Sequence, residues 1–128
     1  MHWIDRLAVR RGIEAGIPWA VGPHPDEGVY NGYVRLPAYH GFALPDDVDA
    51  HVQVHGGLTY GIDEGGWIGF DTRHLGDVWP GVNDDEGERW WVAGIPTRVW
   101  SIDAVEAEAR RLARQVADLM AAPREPRG

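Results

Sequence analysis

The sequence contains no cysteine and no lysine, and Ser101 is its only serine. The absence of cysteine excludes disulfides, thiolate zinc sites and cysteine nucleophiles, and it is compatible with the reducing cytoplasm where we expect the protein to reside. Ser101 lacks the Gly-x-Ser-x-Gly context of a nucleophile elbow, which argues against a serine hydrolase. No apolar run approaches the roughly 20 residues of a membrane helix, and the amphipathic start lacks the apolar core of a secretory signal. We therefore expect a soluble protein.

Positive charge is also scarce. The formal net charge is −8, and every basic side chain other than histidine is arginine. A surface that binds duplex nucleic acid needs clustered basic side chains, and here they cluster only near the chain ends, so we expect no duplex binding. A small phosphorylated ligand stays compatible, because arginine, histidine and backbone N–H groups can bind it locally.

The chain is rich in tryptophan, with seven residues. Most are expected in the core or the sheet. The remainder indicate either a stacking wall for a ligand or an interface of a homo-oligomer, since tryptophan is enriched at both.

The length predicts a single domain over residues 1–128 with one modest hydrophobic core and a disordered tail at about 122–128. A long C-terminal helix is predicted from Ser101 or Asp103 to about Met120, because apolar residues recur there every three or four positions. The remaining pattern predicts a short N-terminal helix within 2–14, strands at 17–21, 29–36, 51–62, 67–70 and 90–95, and loops at 22–28, 38–50 and 80–89. The expected fold is α+β, with a mostly antiparallel sheet of four or five strands packed by the long helix.

The polar groups that chemistry requires are concentrated in the segment HVQVHGGLTYGIDEGGWIGFDTRHLGD, which begins at His51. On a straight strand His51 and His55 would lie about 13 Å apart, too far to share a metal ion. We therefore expect His55 to meet Asp71, His74 or Asp77 across a hairpin. Such a set suits a divalent metal or metal-free acid–base chemistry. The competing interpretation is that His55 binds a backbone carbonyl and the two aspartates cap turns.

The candidate residues follow from this segment. Candidate catalytic residues are His55, Asp71, His74 and Asp77, and candidate ligand-binding residues are His55, Gly56, Gly57, Thr59, Tyr60, Asp71, Arg73, His74 and Asp77. The Gly56-Gly57 pair lets backbone N–H groups approach an anion closely, although no P-loop lysine follows it. His40 is a further candidate from its loop, whereas His24 and His51 are expected to be exposed.

Three segments, NGYVRLP, VHGGLTYG and WIGFDTRHLGD, resemble a family of small uncharacterised proteins of bacteriophages and of their GC-rich bacterial hosts. The similarity extends over about residues 30–120 and includes the C-terminal helix. The family has no established activity. The resemblance implies a small accessory phage-type protein, and by analogy a role in counter-defence.

Three functions follow as alternatives. The first, which we favour at this point, is sequestration of a nucleotide-like, anionic immune signal, with the protein acting as an oligomer. The second is a His/Asp-dependent hydrolase or phosphodiesterase of such a signal, with or without a divalent metal. The third is an acidic inhibitor that binds the basic groove of a host protein. The sequence leaves open whether the protein is an enzyme.

Overall fold

The computed structural model describes residues 2–37 and 48–121. The elements are α1 (Trp3–Leu7), β1 (Arg10–Glu14), β2 (Ile17–Pro23), β3 (Tyr30–Arg35), β4 (Trp67–Phe70), β5 (Asp77–Val78), α2 (Asp84–Val92), β6 (Arg98–Val99) and α3 (Ile102–Ala121). Strands β1 to β4 form an antiparallel sheet in chain order, whereas β5 and β6 form a separate parallel pair. The prediction of an α+β fold is confirmed. The predicted roles of His40 and of the tail at 122–128, and most of the loop 38–50, lie outside the described residues.

The core lies between α3 and the sheet, where α3 packs on β2 and β3. The apolar stripe of α3, which includes Val105, Leu112 and Val116, is buried with Val34 and Phe70 in one cluster. The predicted burial of the stripe is therefore confirmed. Among the described residues no helix is both long enough and apolar enough to cross a membrane.

Helix α3 begins after Ser101, whose side-chain oxygen accepts a hydrogen bond from the N–H of Ala104 at 3.1 Å. Of the two predicted starts, Ser101 is therefore the one found. Asp103 and Glu106 both bind Arg10 of β1, at 2.5 and 3.3 Å. These ion pairs attach the start of α3 to the edge of the sheet.

The N-terminal helix is shorter than predicted, because only Trp3–Leu7 is helical and Arg10–Glu14 is a strand. Strands β1 and β2 are joined by a two-residue turn in which Ala15 and Gly16 both have positive φ. Such a turn suits the twist of a hairpin. Strand β1 is an edge strand with exposed residues, so it has no clear apolar alternation in the sequence.

Three further predictions are wrong in whole or in part. Residues 51–62 form no strand, and only Tyr60 makes an isolated antiparallel bridge, to Gly69 of β4. Gly56 and Gly57 have φ of 69° and 77°, a left-handed conformation that interrupts a strand. Helix α2, Asp84–Val92, takes the place of the later part of the loop predicted at 80–89 and of the start of the strand predicted at 90–95. This helix has no buried residue, so the sequence lacked the apolar periodicity that would have revealed it.

Candidate functional site

A buried carboxylate lies at the centre of the site. Asp77 of β5 is 1% exposed, and its Oδ1 accepts a hydrogen bond from Nε1 of Trp100 at 2.9 Å. Its Oδ2 accepts a hydrogen bond from the backbone N–H of His74 at 2.8 Å. Nε2 of His55 lies 2.8 Å from Oδ1 and 3.0 Å from Oδ2. Since a buried carboxylate without such partners is costly, these contacts indicate an ionised acceptor, and Nε2 of His55 carries the proton that it donates.

The imidazole of His55 is fixed on several sides. With the proton on Nε2, Nδ1 presents a lone pair, and Nη1 of Arg98 lies 3.5 Å from it. The ring also meets the indole of Trp100 edge to face, with centroids 4.9 Å apart. The backbone N–H of His55 donates to Oε2 of Glu108 at 2.9 Å. One tautomer therefore accounts for both ring nitrogens.

Arg98 lies over the indole of Trp100 and next to the imidazole of His55. Its guanidinium carbon lies 4.0 Å above the centroid of Trp100, and its side chain is 42% exposed. The parallel pairing of β5 with β6 sets Arg98 opposite Asp77 and so brings it to the site. Arg98 makes no side-chain hydrogen bond other than that to His55 within residues 2–37 and 48–121. Nη1 of Arg98 also lies 3.9 Å from Oε2 of Glu108, and the N–H groups outside these two contacts can bind an anionic oxygen.

Glu108 of α3 supports this arrangement from the core side. Its carboxylate accepts two hydrogen bonds from Arg111, at 2.7 and 3.0 Å. Burial alone would raise the pKa of Glu108, but the hydrogen bonds from Arg111 and from the backbone of His55, together with the charges of Arg111 and Arg98, lower that pKa. Glu108 is therefore an anion that holds the backbone of His55 in place.

A second imidazole lies next to the first. The rings of His74 and His55 meet edge to face with centroids 5.4 Å apart, and Nε2 of His74 lies 2.6 Å from Oδ1 of Asp71. These two atoms are buried, and their contact departs from regular hydrogen-bond geometry. A Cβ at Gly56 would overlap the ring of His74. Gly56 is therefore required for close packing as well as for its positive φ.

The same residues could also hold a metal ion. His55, His74 and Asp77 each offer one ligand atom, and these atoms lie within 4.8 Å of one another. Two imidazoles and a carboxylate suit a divalent transition metal. A metal on Nε2 of His55 would displace the proton to Nδ1, where it would face the N–H donor of Arg98. A metal on Nε2 is therefore an alternative to the proton that Nε2 donates to Asp77.

Several of the predicted ligand-binding residues have other contacts. Arg73 pairs with Asp26 and Glu86. The hydroxyl of Tyr60 donates to Asp63 at 2.6 Å and accepts from the indole N–H of Trp3. A separate cavity of about 210 Å³ is lined by His24, Pro25, Asn31, Tyr33, Thr59, Tyr60, Phe70 and Asp71. A Cβ at Gly57 would lie 3.8 Å from Oδ1 of Asp49. His55, His74 and Asp77 therefore lie together, and Asp71 contacts this group through His74. Tyr60 and Arg73 belong to other hydrogen-bond and ion-pair networks.

Three residues of the site were missed in the sequence: Arg98, Trp100 and Glu108. Glu108 left a signal, because it lies three residues after Val105 and four before Leu112 on the apolar face of a helix. An acidic residue at such a position is rarely buried unless it has partners. Arg98 and Trp100 left no comparable signal, since a pairing of two-residue strands carries no periodicity.

Comparisons with known proteins do not indicate a function for this chain. No family model matches the chain, and no curated protein or solved structure matches it. The resemblance to a phage protein family therefore stays a prediction.

Proposed function

We propose that this protein is a small hydrolase in which His55 transfers a proton and Asp77 orients His55. The observation that carries the proposal is the hydrogen bond from Nε2 of His55 to the buried carboxylate of Asp77. This carboxylate also accepts hydrogen bonds from the indole of Trp100 and the backbone of His74. A carboxylate in this position fixes the tautomer of an imidazole and stabilises the imidazolium that forms during proton transfer. Nδ1 is then the basic atom.

The substrate class is inferred from Arg98. Its guanidinium is stacked on Trp100 and lies beside Nδ1 of His55. Guanidinium binds phosphate and carboxylate oxygens in a planar, two-point manner, and stacking on an aromatic ring limits the orientations it can take. A separation of 3.5 Å from Nδ1 is long for a hydrogen bond, so little is lost when Arg98 turns its donors to a ligand. We infer a substrate with a phosphate ester or a similar anionic group.

The chemistry would proceed at the space beside Arg98 and Nδ1. Arg98 holds the anionic oxygens of a phosphodiester. Nδ1 of His55 removes a proton from a water molecule as the water oxygen bonds to phosphorus. The bond from phosphorus to the leaving oxygen, on the side opposite the attacking water, breaks. Solvent water protonates the leaving oxygen, and Nδ1 then releases its proton to solvent. Asp77 keeps its negative charge throughout and offsets the positive charge that His55 carries between the two transfers.

The test uses the full chain with bis(p-nitrophenyl) phosphate and with a panel of cyclic and linear dinucleotides, each in EDTA and with added Zn²⁺ or Mn²⁺. Release of nitrophenolate and chromatography of the nucleotides report product. We expect turnover in EDTA that falls by on the order of 10²–10⁴-fold in His55→Gln, as for loss of a general base. His51→Gln makes the same change at an exposed histidine and should leave turnover unchanged.

Three results would contradict this assignment. The absence of product from every probe under every condition would exclude hydrolysis of these classes. Recovery of unchanged nucleotide bound to the protein would support sequestration, which stays a prediction from the sequence. Product formation that EDTA abolishes would assign His55, His74 and Asp77 to a metal instead of a proton.

A further inference from the structure

Helix α2 exposes apolar side chains that nothing within the described chain covers. None of its residues is buried, and Trp91 and Val92 are 77% and 80% exposed. Between α2 and the β5–β6 pair lies a groove of about 560 Å³, lined by Val78, Asp84, Gly87, Glu88, Trp91, Val92 and Thr97. Exposed apolar surface in a groove with polar residues is typical of an interaction site.

One face of α2 forms a wall of the groove. Asp84, Glu88 and Trp91 are four and then three residues apart, so they lie along the same side of the helix. Gly87 allows the helix to approach β5 closely, since a Cβ there would lie 2.9 Å from Cγ2 of Val78. The groove therefore combines an apolar floor at Val78, two carboxylates and an exposed indole.

The charged side chains of this wall, Asp84 and Glu88, are both acidic. Oδ2 of Asp84 accepts a hydrogen bond from the backbone N–H of Gly81, and among residues 2–37 and 48–121 no cationic side chain pairs with its charge. Glu88 is exposed and has no ion pair in the described part of the chain. Arg89, the basic residue of this helix, pairs with Asp85 at 3.6 Å instead. The groove is therefore complementary to a positive charge, and the indole face of Trp91 can bind the same cation.

We propose that this groove binds a short basic segment of another protein, in which an arginine or lysine stands next to a bulky apolar residue. The apolar side chain packs between Val78 and Trp91, and the cation binds Glu88 and Asp84. The groove volume of about 560 Å³ lies within the roughly 300–1,000 Å³ of ligand-binding sites, which is enough for a few side chains of a peptide segment. The formal charge of −8 on the chain favours the encounter with a basic partner. The proposal is independent of the proposed hydrolysis.

The first experiment selects the partner chemistry without bias. A displayed library of random nine-residue peptides is selected on the immobilised full chain, and the enriched peptides are labelled and titrated by fluorescence polarisation. We expect enrichment of peptides with arginine or lysine beside leucine, isoleucine, phenylalanine or tryptophan. Trp91→Ala and Glu88→Gln should each weaken binding of these peptides by about tenfold, and binding should weaken as salt is raised.

Matched variants separate the groove from general attraction to an acidic protein. Glu64→Gln removes the same charge at another exposed position, and Ile13→Ala shortens an apolar side chain that is 72% exposed. Both should bind the peptides as tightly as the parent chain. Since Trp91 and Glu88 are exposed, their variants should fold, which circular dichroism verifies.

Four outcomes would overturn the proposal. They are the failure of any peptide to be enriched, enrichment of peptides without a basic residue, equal weakening in Glu64→Gln and Glu88→Gln, and full binding by Trp91→Ala. Sedimentation adds a further decisive result. A dimer of the parent chain that Trp91→Ala abolishes would show that a second copy of the chain covers the groove.

Discussion

Replacing Asp77 by asparagine should destabilise the fold, because the amide cannot accept all the hydrogen bonds that the carboxylate accepts. The indole N–H of Trp100 and the backbone N–H of His74 bond to different oxygens of Asp77. Asparagine has one oxygen, so its NH₂ group must face one of these donors. The substitution loses a charge-assisted hydrogen bond and leaves a buried donor unpaired, which together cost about 2–5 kcal/mol.

Urea unfolding followed by far-UV circular dichroism measures this loss. Asp118→Asn makes the same change at an exposed position and should alter the free energy of unfolding by less than about 0.5 kcal/mol. In a Trp100→Phe background one donor is gone, so the cost of Asp77→Asn should shrink by about 1 kcal/mol or more. A cost of Asp77→Asn below about 0.5 kcal/mol would show that Trp100, the backbone of His74 and the imidazole of His55 do not depend on the carboxylate.

Three further substitutions test the core, the acid dependence and the packing of the site. Leu112→Ala should cost about 2–5 kcal/mol by forming a cavity in a fully buried position, whereas Leu75→Ala at an exposed position should cost less than about 0.5 kcal/mol, both by urea unfolding. The pKa of Glu108 is lowered in the fold, so its carboxylate contributes stability above an ordinary pKa of about 4.3 that is lost as the pH falls through the lower folded value. Glu108→Gln should therefore destabilise the protein at about pH 7 more than at about pH 3, and an equal loss at both would contradict this. Gly56→Ala should destabilise by more than about 1 kcal/mol through its positive φ and its overlap with His74, and a neutral result would show that the loop readily rearranges.

The fold was predictable where burial imposes a period on the sequence. The apolar stripe of α3 and the buried strands around Val34 and Ile68 were predicted close to their observed bounds, because one face or both faces of each pack in the core. Strand β1 was mistaken for helix because its edge position leaves Ile13 in solvent. Helix α2 was mistaken for loop and strand because it buries nothing. Periodicity reports burial, and elements without burial leave no such record.

The candidate site was predictable in composition but not in pairing. His55, His74 and Asp77 were selected because their side chains carry acid–base and ligand chemistry at close spacing. The expected hairpin would have paired these residues across two strands. The observed contacts arise instead from the left-handed conformation at Gly56 and from the parallel pairing of β5 with β6, which places Trp100 next to Asp77. Such long-range contacts between short strands depend on tertiary packing. Residue type therefore predicts which side chains belong to the site, whereas tertiary packing determines which of them contact each other.

The proposed proton transfer by His55 requires that Asp77 hold the Nε2–H tautomer of its imidazole. The most direct measurement is the ¹⁵N spectrum of the imidazole in uniformly labelled protein at about pH 8, with the resonances of His55 assigned by their loss in His55→Gln. We expect a protonated Nε2 and an unprotonated Nδ1 in the parent chain, and we expect this preference to be lost in Asp77→Asn. A proton on Nδ1 in the parent chain, or a spectrum of His55 that Asp77→Asn leaves unchanged, would show that Asp77 does not hold this tautomer.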